Sequence, residues 1–277
     1  MLSIFYGIVS AATWGAADFL GGLATKQTSP YRVLFLGQLS GLILFLLLAL
    51  ITGETYPLPV DVLWAVLASL LGVAGLVFLY RALAGGQMTI AAPVSALFSA
   101  LIPVVFAIFT AGLPSTTTLV GFILAFIAVW LISQTDGMNL RFSISDLRLP
   151  LISGLFFGLY FISLHKATLH SFYWPVTASR VSGVLVLGLI ALLGRQPAMP
   201  PRGLWGVVIL SGILDVTGNG FYALAARTGR LDVAAVLGAL YPASTVLLAW
   251  IFLKEKISTI QAIGILCAFA AIILFTL

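Results

Sequence analysis

Apolar runs about 20 residues long recur ten times along this 277-residue chain, at about 3–24, 31–51, 61–84, 89–111, 117–134, 148–168, 175–193, 203–226, 233–253 and 258–276. A helix crossing the hydrocarbon of a bilayer needs about 20 such residues, because each adds only about 1.5 Å of rise. The runs do not alternate apolar and polar positions, which excludes a transmembrane barrel. The first run is too long for a signal-peptide core and has no basic leader, so it reads as a retained span. Residues are 61% hydrophobic and 8% charged, against about 25% charged in soluble proteins. That leaves too little polar surface to enclose a soluble core. The expected fold is an all-α integral membrane bundle of ten transmembrane helices, in contact with lipid along its length.

Formal charge is +5. In a soluble domain this would suggest a nucleic-acid partner. Here the bases fall between apolar runs and act as topology signals, so no nucleic-acid partner is expected. Lys26, Arg32, Arg81, Arg141, Arg148, Arg195, Arg202, Lys254 and Lys256 fall on one side, and Lys166, Arg227 and Arg230 on the other. Positive-inside bias then puts the first side in the cytoplasm and both termini outside. A lone cysteine, Cys267, allows no internal disulfide and reads as apolar filler.

The longest polar stretch, "SQTDGMNLRFSISDLRLP", lies at mid-chain. It divides the chain into a five-helix unit over 1–134, a connecting loop over 135–147 and a second unit over 148–277. Sliding the chain against itself by 143 residues pairs 71–131 with 214–274 without a gap. About one position in three is identical, including Gly75/Gly218, Ser115-Thr116/Ser258-Thr259 and Gly121/Gly264, where apolar composition alone gives about one in ten. The first two runs of each unit match less well, with Ser40-Gly41 resembling Ser182-Gly183 at a slightly different offset. Five is odd, so the second unit must enter the membrane from the opposite side. Inverted repeats of this kind build secondary transporters with a site near the midplane.

Three ionisable residues fall well inside predicted spans: Asp18, Arg180 and Asp215. A charge at a helix centre costs at least about 2.5–3.5 kcal/mol, so each needs a cavity, a partner or a function. Asp215, Asn219 and Tyr222 share one face at i, i+4, i+7. Their repeat counterparts are Gly72, Leu76 and Leu79, so the shared fold does not require that polar face. Gly7, Ala11, Trp14 and Asp18 share a face of the first run, with small residues suited to close helix packing. An aromatic ring beside a carboxylate suits a cationic or amphipathic solute, and an acid in a poorly solvated cavity can carry a proton. Arg180 lies five residues after Pro175, where it can snorkel to the interface or balance the acids. Tyr241, beside Pro242, is a further candidate for lining the cavity. Pro93 and Pro103 in the fourth run and Pro242 in the ninth mark candidate hinges or gates, since proline frees a carbonyl inside a helix.

His165 and His170 flank Lys166 at a helix end and read as an interfacial polar cluster, so no metal site is expected. The sequence holds no HExxH, no Cys/His ligand spacing and no P-loop, and no cofactor is expected. Asp18 in "GAADFL" and Asp215 in "GILDVTG" do not match intramembrane aspartyl protease signatures. A lipid-modifying enzyme would need Ser211 or Ser179 to meet His165, and nothing in their spacing brings them together.

"ATWGAADFLGG", "FLYRALAGGQMTIAAPVSAL" and "VAAVLGALYPASTVLLAWIFLKEKISTIQAIGILCAFAAIILF" resemble, over essentially the whole chain, the EamA-type branch of the drug/metabolite transporter superfamily. The last stretch carries Leu240, Pro242, Glu255, Gln261 and Gly264 at the family's positions, with "KEK" where Gly-Glu is common. The resemblance implies a non-enzymatic carrier in the plasma (inner) membrane of a prokaryote. Such a carrier exports or exchanges small metabolites, amino acids or amphipathic drugs, often coupled to protons. The resemblance also implies a central cavity shaped by the third, fourth, eighth and ninth spans. The expected site is Asp18 and Asp215 for substrate or proton, with Trp14, Asn219, Tyr222 and Tyr241 lining the cavity and Arg180 balancing the acids; for Asp18 there is also an analogy, to the first-helix acid of the related four-helix multidrug exporters. A passive facilitator of small solutes is the alternative.

Overall fold

A computed structural model describes residues 1–84, 88–134, 144–194 and 197–277. Its helices are α1 (Leu2–Thr25), α2 (Pro30–Thr52), α3 (Pro59–Ala84), α4 (Met88–Ala111), α5 (Thr116–Ile132), α6 (Ile144–Ala167), α7 (Tyr173–Gly194), α8 (Trp205–Thr228), α9 (Leu231–Gly238), α10 (Tyr241–Leu248) and α11 (Thr259–Thr276). The helices α9 and α10 and a π-helical turn, Ala249–Leu253, together make the ninth span, so the chain folds as ten rods. Among the described residues eight spans are long and apolar enough to cross a membrane; α5 is a shorter apolar helix, and α1 is not among the eight. The Gly-Gly-Gln of the second resemblance motif and residues 135–143 of the expected connecting loop lie outside the described residues, while 144–147 already belong to α6.

Ends of the helices follow local chemistry. Ser115 and Ser258, equivalent under the repeat, cap α5 and α11 by accepting the N–H of Thr118 and Gln261, both at 3.2 Å. Gln261 completes a capping box at Ser258. The ninth span breaks between Gly238 and Tyr241. Pro242 has no N–H to continue the ladder from α9, and it stands instead in the first turn of α10, where that N–H is not needed. By contrast α4 continues through both Pro93 and Pro103.

Each half packs mainly on the other. Among the closest associations are α1 with α8, α3 with α6, and α5 with α11. Exchanging the halves turns the first pair into the second and leaves the third unchanged, as an approximate two-fold relation requires. Contacts repeat at the level of atoms. Ser10 Oγ on α1 donates to the Gly218 carbonyl on α8 at 2.8 Å, and Ser153 Oγ on α6 donates to the Gly75 carbonyl on α3 at 2.9 Å. A Cβ on Gly218 would stand 2.5 Å from the Trp14 ring, and one on Gly75 2.8 Å from the ring of Phe157. Gly264 abuts Ile132 as Gly121 abuts Phe275. All of these pairs obey the single 143-residue offset.

That offset corrects the register expected for the second run of each unit. Ser40 meets Gly212, and Ser69 meets Gly183, so Ser40 corresponds to Gly183 rather than to Ser182. A helix crossing constrains the combined size of the two residues that meet there. One half therefore places the serine on α2 and the other on α3, and residue identity misleads. Ser10→Ala is expected to cost about 0.6 kcal/mol, as other interhelical hydrogen bonds do. Ser153→Ala should cost more, since it also strips Ser95 of a partner at 2.9 Å. Unfolding in mixed micelles would read both.

Candidate functional site

One end of the bundle is closed. The carboxylate of Glu54, in the α2–α3 connection, accepts the N–H groups of Phe172, Tyr173 and Trp174 at 2.6, 2.7 and 3.2 Å. It meets the exposed donors and positive dipole end of α7. The Trp174 indole donates to the Glu54 carbonyl at 3.0 Å. Buried Asp61 contacts the His170 ring at 2.9 Å. Arg230 holds buried Asp232 at 2.8 Å and reaches the Gly112 carbonyl at 2.9 Å, tying the α8–α9 connection to the α4–α5 connection. Loss of Glu54 to Ala should cost about 0.5–2 kcal/mol, as at other helix caps. A shift in the midpoint of thermal unfolding in detergent would measure it.

Residues of α9 on that side are nearly all buried, whereas α10 has no fully buried residue. The core thus loosens at the level of the α9–α10 break, and there the polar side chains collect.

Trp14 lies in a slot. Gly218 of α8 faces its five-membered ring and Gly238 of α9 its six-membered ring, and a Cβ on Gly238 would approach to 2.8 Å. Its Nε1 donates to Asn219 Oδ1 at 3.1 Å, and Tyr160 Oη of α6 donates to the same oxygen at 2.7 Å. Tyr222 is fully buried. It stacks on Trp14 with ring centroids 5.9 Å apart and donates to the Phe161 carbonyl at 3.1 Å. Phe161 closes the cluster, 5.7 Å from Trp14 and 4.8 Å from Tyr222.

Next to this aromatic wall is an ion pair. Arg180 of α7 is buried, and its Nη1 lies 2.8 Å from Asp215 Oδ2 and 2.9 Å from Gln38 Oε1 of α2. Snorkelling, one of the two readings of Arg180 from sequence, is therefore not what this side chain does: it points inward, to a partner. Asp215 keeps 43% of its side chain exposed. Asp18, one turn of α1 beyond Trp14, is exposed. It has no ion-pair partner among the described residues. It lies within electrostatic reach of Asp215 and of Tyr241 on α10. Gly15 permits this approach: its carbonyl accepts Thr245 Oγ1 at 3.1 Å, and a side chain there would run into the Tyr241 carbonyl.

The structure therefore brings together Trp14, Asp18, Arg180, Asp215, Asn219, Tyr222 and Tyr241. It does not place the prolines among them, since Pro93 and Pro103 are buried within α4 and Pro242 starts α10. Sequence reasoning missed Gln38 and Tyr160. Gln38 is the only amide in the apolar stretch "VLFLGQLSGLIL", and that isolation was a usable signal. Tyr160 in "FGLYFISL" carried no comparable mark. Ser211 donates to the Ala17 carbonyl at 2.8 Å and is spent on packing α8 against α1. Two apolar grooves, about 280 Å³ between α2 and α8 and about 200 Å³ between α1, the ninth span and α11, contain neither acid.

Under the repeat, the counterparts of Trp14, Asp18, Asp215, Asn219, Tyr222 and Tyr241 are Phe157, Phe161, Gly72, Leu76, Leu79 and Phe98, and that of Arg180 is Gly37. Hydrogen bonds that build the fold occur twice. Ionisable and amide groups at the centre occur once. Symmetry separates the scaffold from the chemistry placed on it.

Comparison with known proteins agrees with this architecture. A solved crystal structure is similar over 99% of this chain and 96% of its own, with a TM-score of 0.82 at 16% identity, a likeness of fold. An uncharacterized protein of Methanocaldococcus jannaschii is 28% identical over 106 residues, 38% of this chain and 76% of that protein. The profile described as the EamA-like transporter family matches residues 1–134 and again 147–277. With two such units accounting for nearly all of its length, the chain is an integral membrane protein that belongs to the EamA-like transporter family, whose members carry small solutes and are not enzymes.

Proposed function

We propose that the protein is a secondary active transporter that exports or exchanges small amphipathic metabolites, amino acids or drugs against protons by alternating access. One observation supports it most: an exposed carboxylate, Asp18, with no ion-pair partner among the described residues, stands beside the Asp215–Arg180 pair and an aromatic wall, in a polar set that the repeat does not require. Asp18 is the exchangeable acid. Asp215, Trp14, Asn219, Tyr222 and Tyr241 line the cavity, and Arg180 balances the charge.

On this reading the cavity opens away from the end that Glu54, Asp61 and Arg230 close, toward the end that carries Lys26, Arg32, Arg202, Lys254 and Lys256. The charge bias puts the basic end in the cytoplasm of a prokaryotic inner membrane and both termini outside. This conformation is then inward-facing. The hinge of the cycle lies at Pro242, where the ninth span is already broken, with Pro93 and Pro103 as its partners in α4. The two units, 1–134 and 148–277, rock about the Trp14 slot.

Purified protein in proteoliposomes, tested with amino acids, nucleosides and cationic dyes, should show flux that an imposed pH gradient drives uphill. Saturable flux indifferent to that gradient would establish a passive facilitator instead.

A further inference from the structure

We infer that the central site carries one exchangeable negative charge, so that a single monovalent cation, either a proton or a substrate bearing one ammonium group, occupies Asp18 per cycle and the exchange is electroneutral. This rests on the transport reading above and concerns the charge count of the same site.

Two carboxylates and one guanidinium meet at this level of the bundle. Arg180 lies 2.8 Å from Asp215 and is held on its other side by Gln38 at 2.9 Å. A buried guanidinium stays protonated at any physiological pH. It compensates the Asp215 carboxylate 2.8 Å away, because an unpaired charge of either sign is costly there. Gln38 brings no charge of its own; it keeps the guanidinium turned toward α8 and away from Asp18. Neither member of this pair is then free to exchange.

Asp18 has no such partner among the described residues. Within electrostatic reach of it are Asp215 on α8 and Tyr241 on α10, whose backbone packs against α1 at Gly15. On α2, Tyr31 turns to the Leu187 carbonyl of α7, and Arg32 belongs to the first turn at the end of the bundle. Lys26 lies beyond the end of α1, two turns from Asp18. Asp18 must therefore take its countercharge from what enters the cavity. A proton satisfies it. So does an organic ammonium whose apolar body can rest on the Trp14, Phe161 and Tyr222 rings, a favourable setting for a cation. The two compete for one carboxylate, and each neutralises it once.

The probe is phenyltrimethylammonium, a permanent monocation that cannot cross lipid as a neutral base, with methyl viologen as its dicationic control. In proteoliposomes, a gradient of one pH unit at zero membrane potential should accumulate the monocation about tenfold, the ratio for one-for-one exchange. A potassium diffusion potential imposed with valinomycin should leave that ratio unchanged, and methyl viologen should not be driven. Arg180→Gln leaves two uncompensated acids, so its ratio should move toward about 100-fold and become sensitive to potential. Arg180→Gln with Asp215→Asn removes the pair as a unit and should restore the tenfold, potential-insensitive value. A wild-type ratio near 100-fold, exchange driven by potential, or unchanged stoichiometry in folded Arg180→Gln would each overturn the charge count. If Arg180→Gln does not fold, the wild type and the double variant still decide. Uphill movement of neutral or anionic panel solutes without the monocation would also overturn it, while leaving the transport reading intact. No flux of any solute would remove the transport reading itself.

Discussion

Asp18→Asn should abolish proton-driven flux while the protein still inserts and folds. Asparagine keeps the size of the side chain and its place on α1, between the Gly15 crossing and the exposed cavity, but it cannot be neutralised by binding a proton. A charge-assisted hydrogen bond contributes about 1.5–3 kcal/mol, so affinity for a cationic solute should fall about 10–150-fold. Uphill accumulation should vanish altogether, because nothing then links substrate movement to the gradient. Fold stability should not fall, since no partner of Asp18 is lost and an uncompensated charge is removed. Flux in proteoliposomes together with the elution profile in detergent separates the two effects. Wild-type uphill transport by the variant would remove Asp18 from the mechanism.

The second large effect is expected far from any charge. A Cβ on Gly212 would run into the Gly37 backbone and Ser40 Oγ, so α2 and α8 meet there backbone to backbone. Gly212→Ser should force these helices apart and cost about 1–3 kcal/mol, the usual range for overpacking. The same shift would pull Gln38, next to Gly37 on α2, and Asp215, one turn beyond Gly212 on α8, away from Arg180. Misplacement by about 1 Å can reduce turnover about 100-fold, so flux should suffer as well as stability. Symmetry supplies the rescue. At the equivalent crossing the serine is Ser69 on α3, and it meets Gly183 on α7. Adding Ser40→Gly to Gly212→Ser should therefore recover the part of the loss that Ser40 Oγ causes, while the contact with the Gly37 backbone remains. Thermal unfolding of the two single variants and the double would show it. Strict additivity would mean that the crossing is not limited by combined size.

Much of this was legible in the sequence because bilayer physics acts on composition. Run lengths located the spans, with α6 beginning a few residues earlier than expected. The repeat was legible where identities were dense, in the last three spans of each half. It was obscured in the first two, where the conserved quantity is the combined size at a crossing rather than the residue at a position. Asp18 and Asp215 were conspicuous as charges in apolar runs, and Asn219 and Tyr222 by their helical spacing from Asp215. Tyr160 was invisible for a physical reason. A tyrosine in a span is ordinary until the amide that its hydroxyl reaches is known to sit across from it.

Composition and spacing alone determined a ten-span bundle built twice, because hydrophobic length and helical period are properties of consecutive residues. Which charges meet could not be read that way. Residues 38, 180 and 215 come from three different helices, and only their packing turns Arg180 inward to hold Asp215 and leaves Asp18 without an ion-pair partner among the described residues. A charge buried in a low-dielectric interior is governed by the few groups within reach of it, and only tertiary structure specifies those groups.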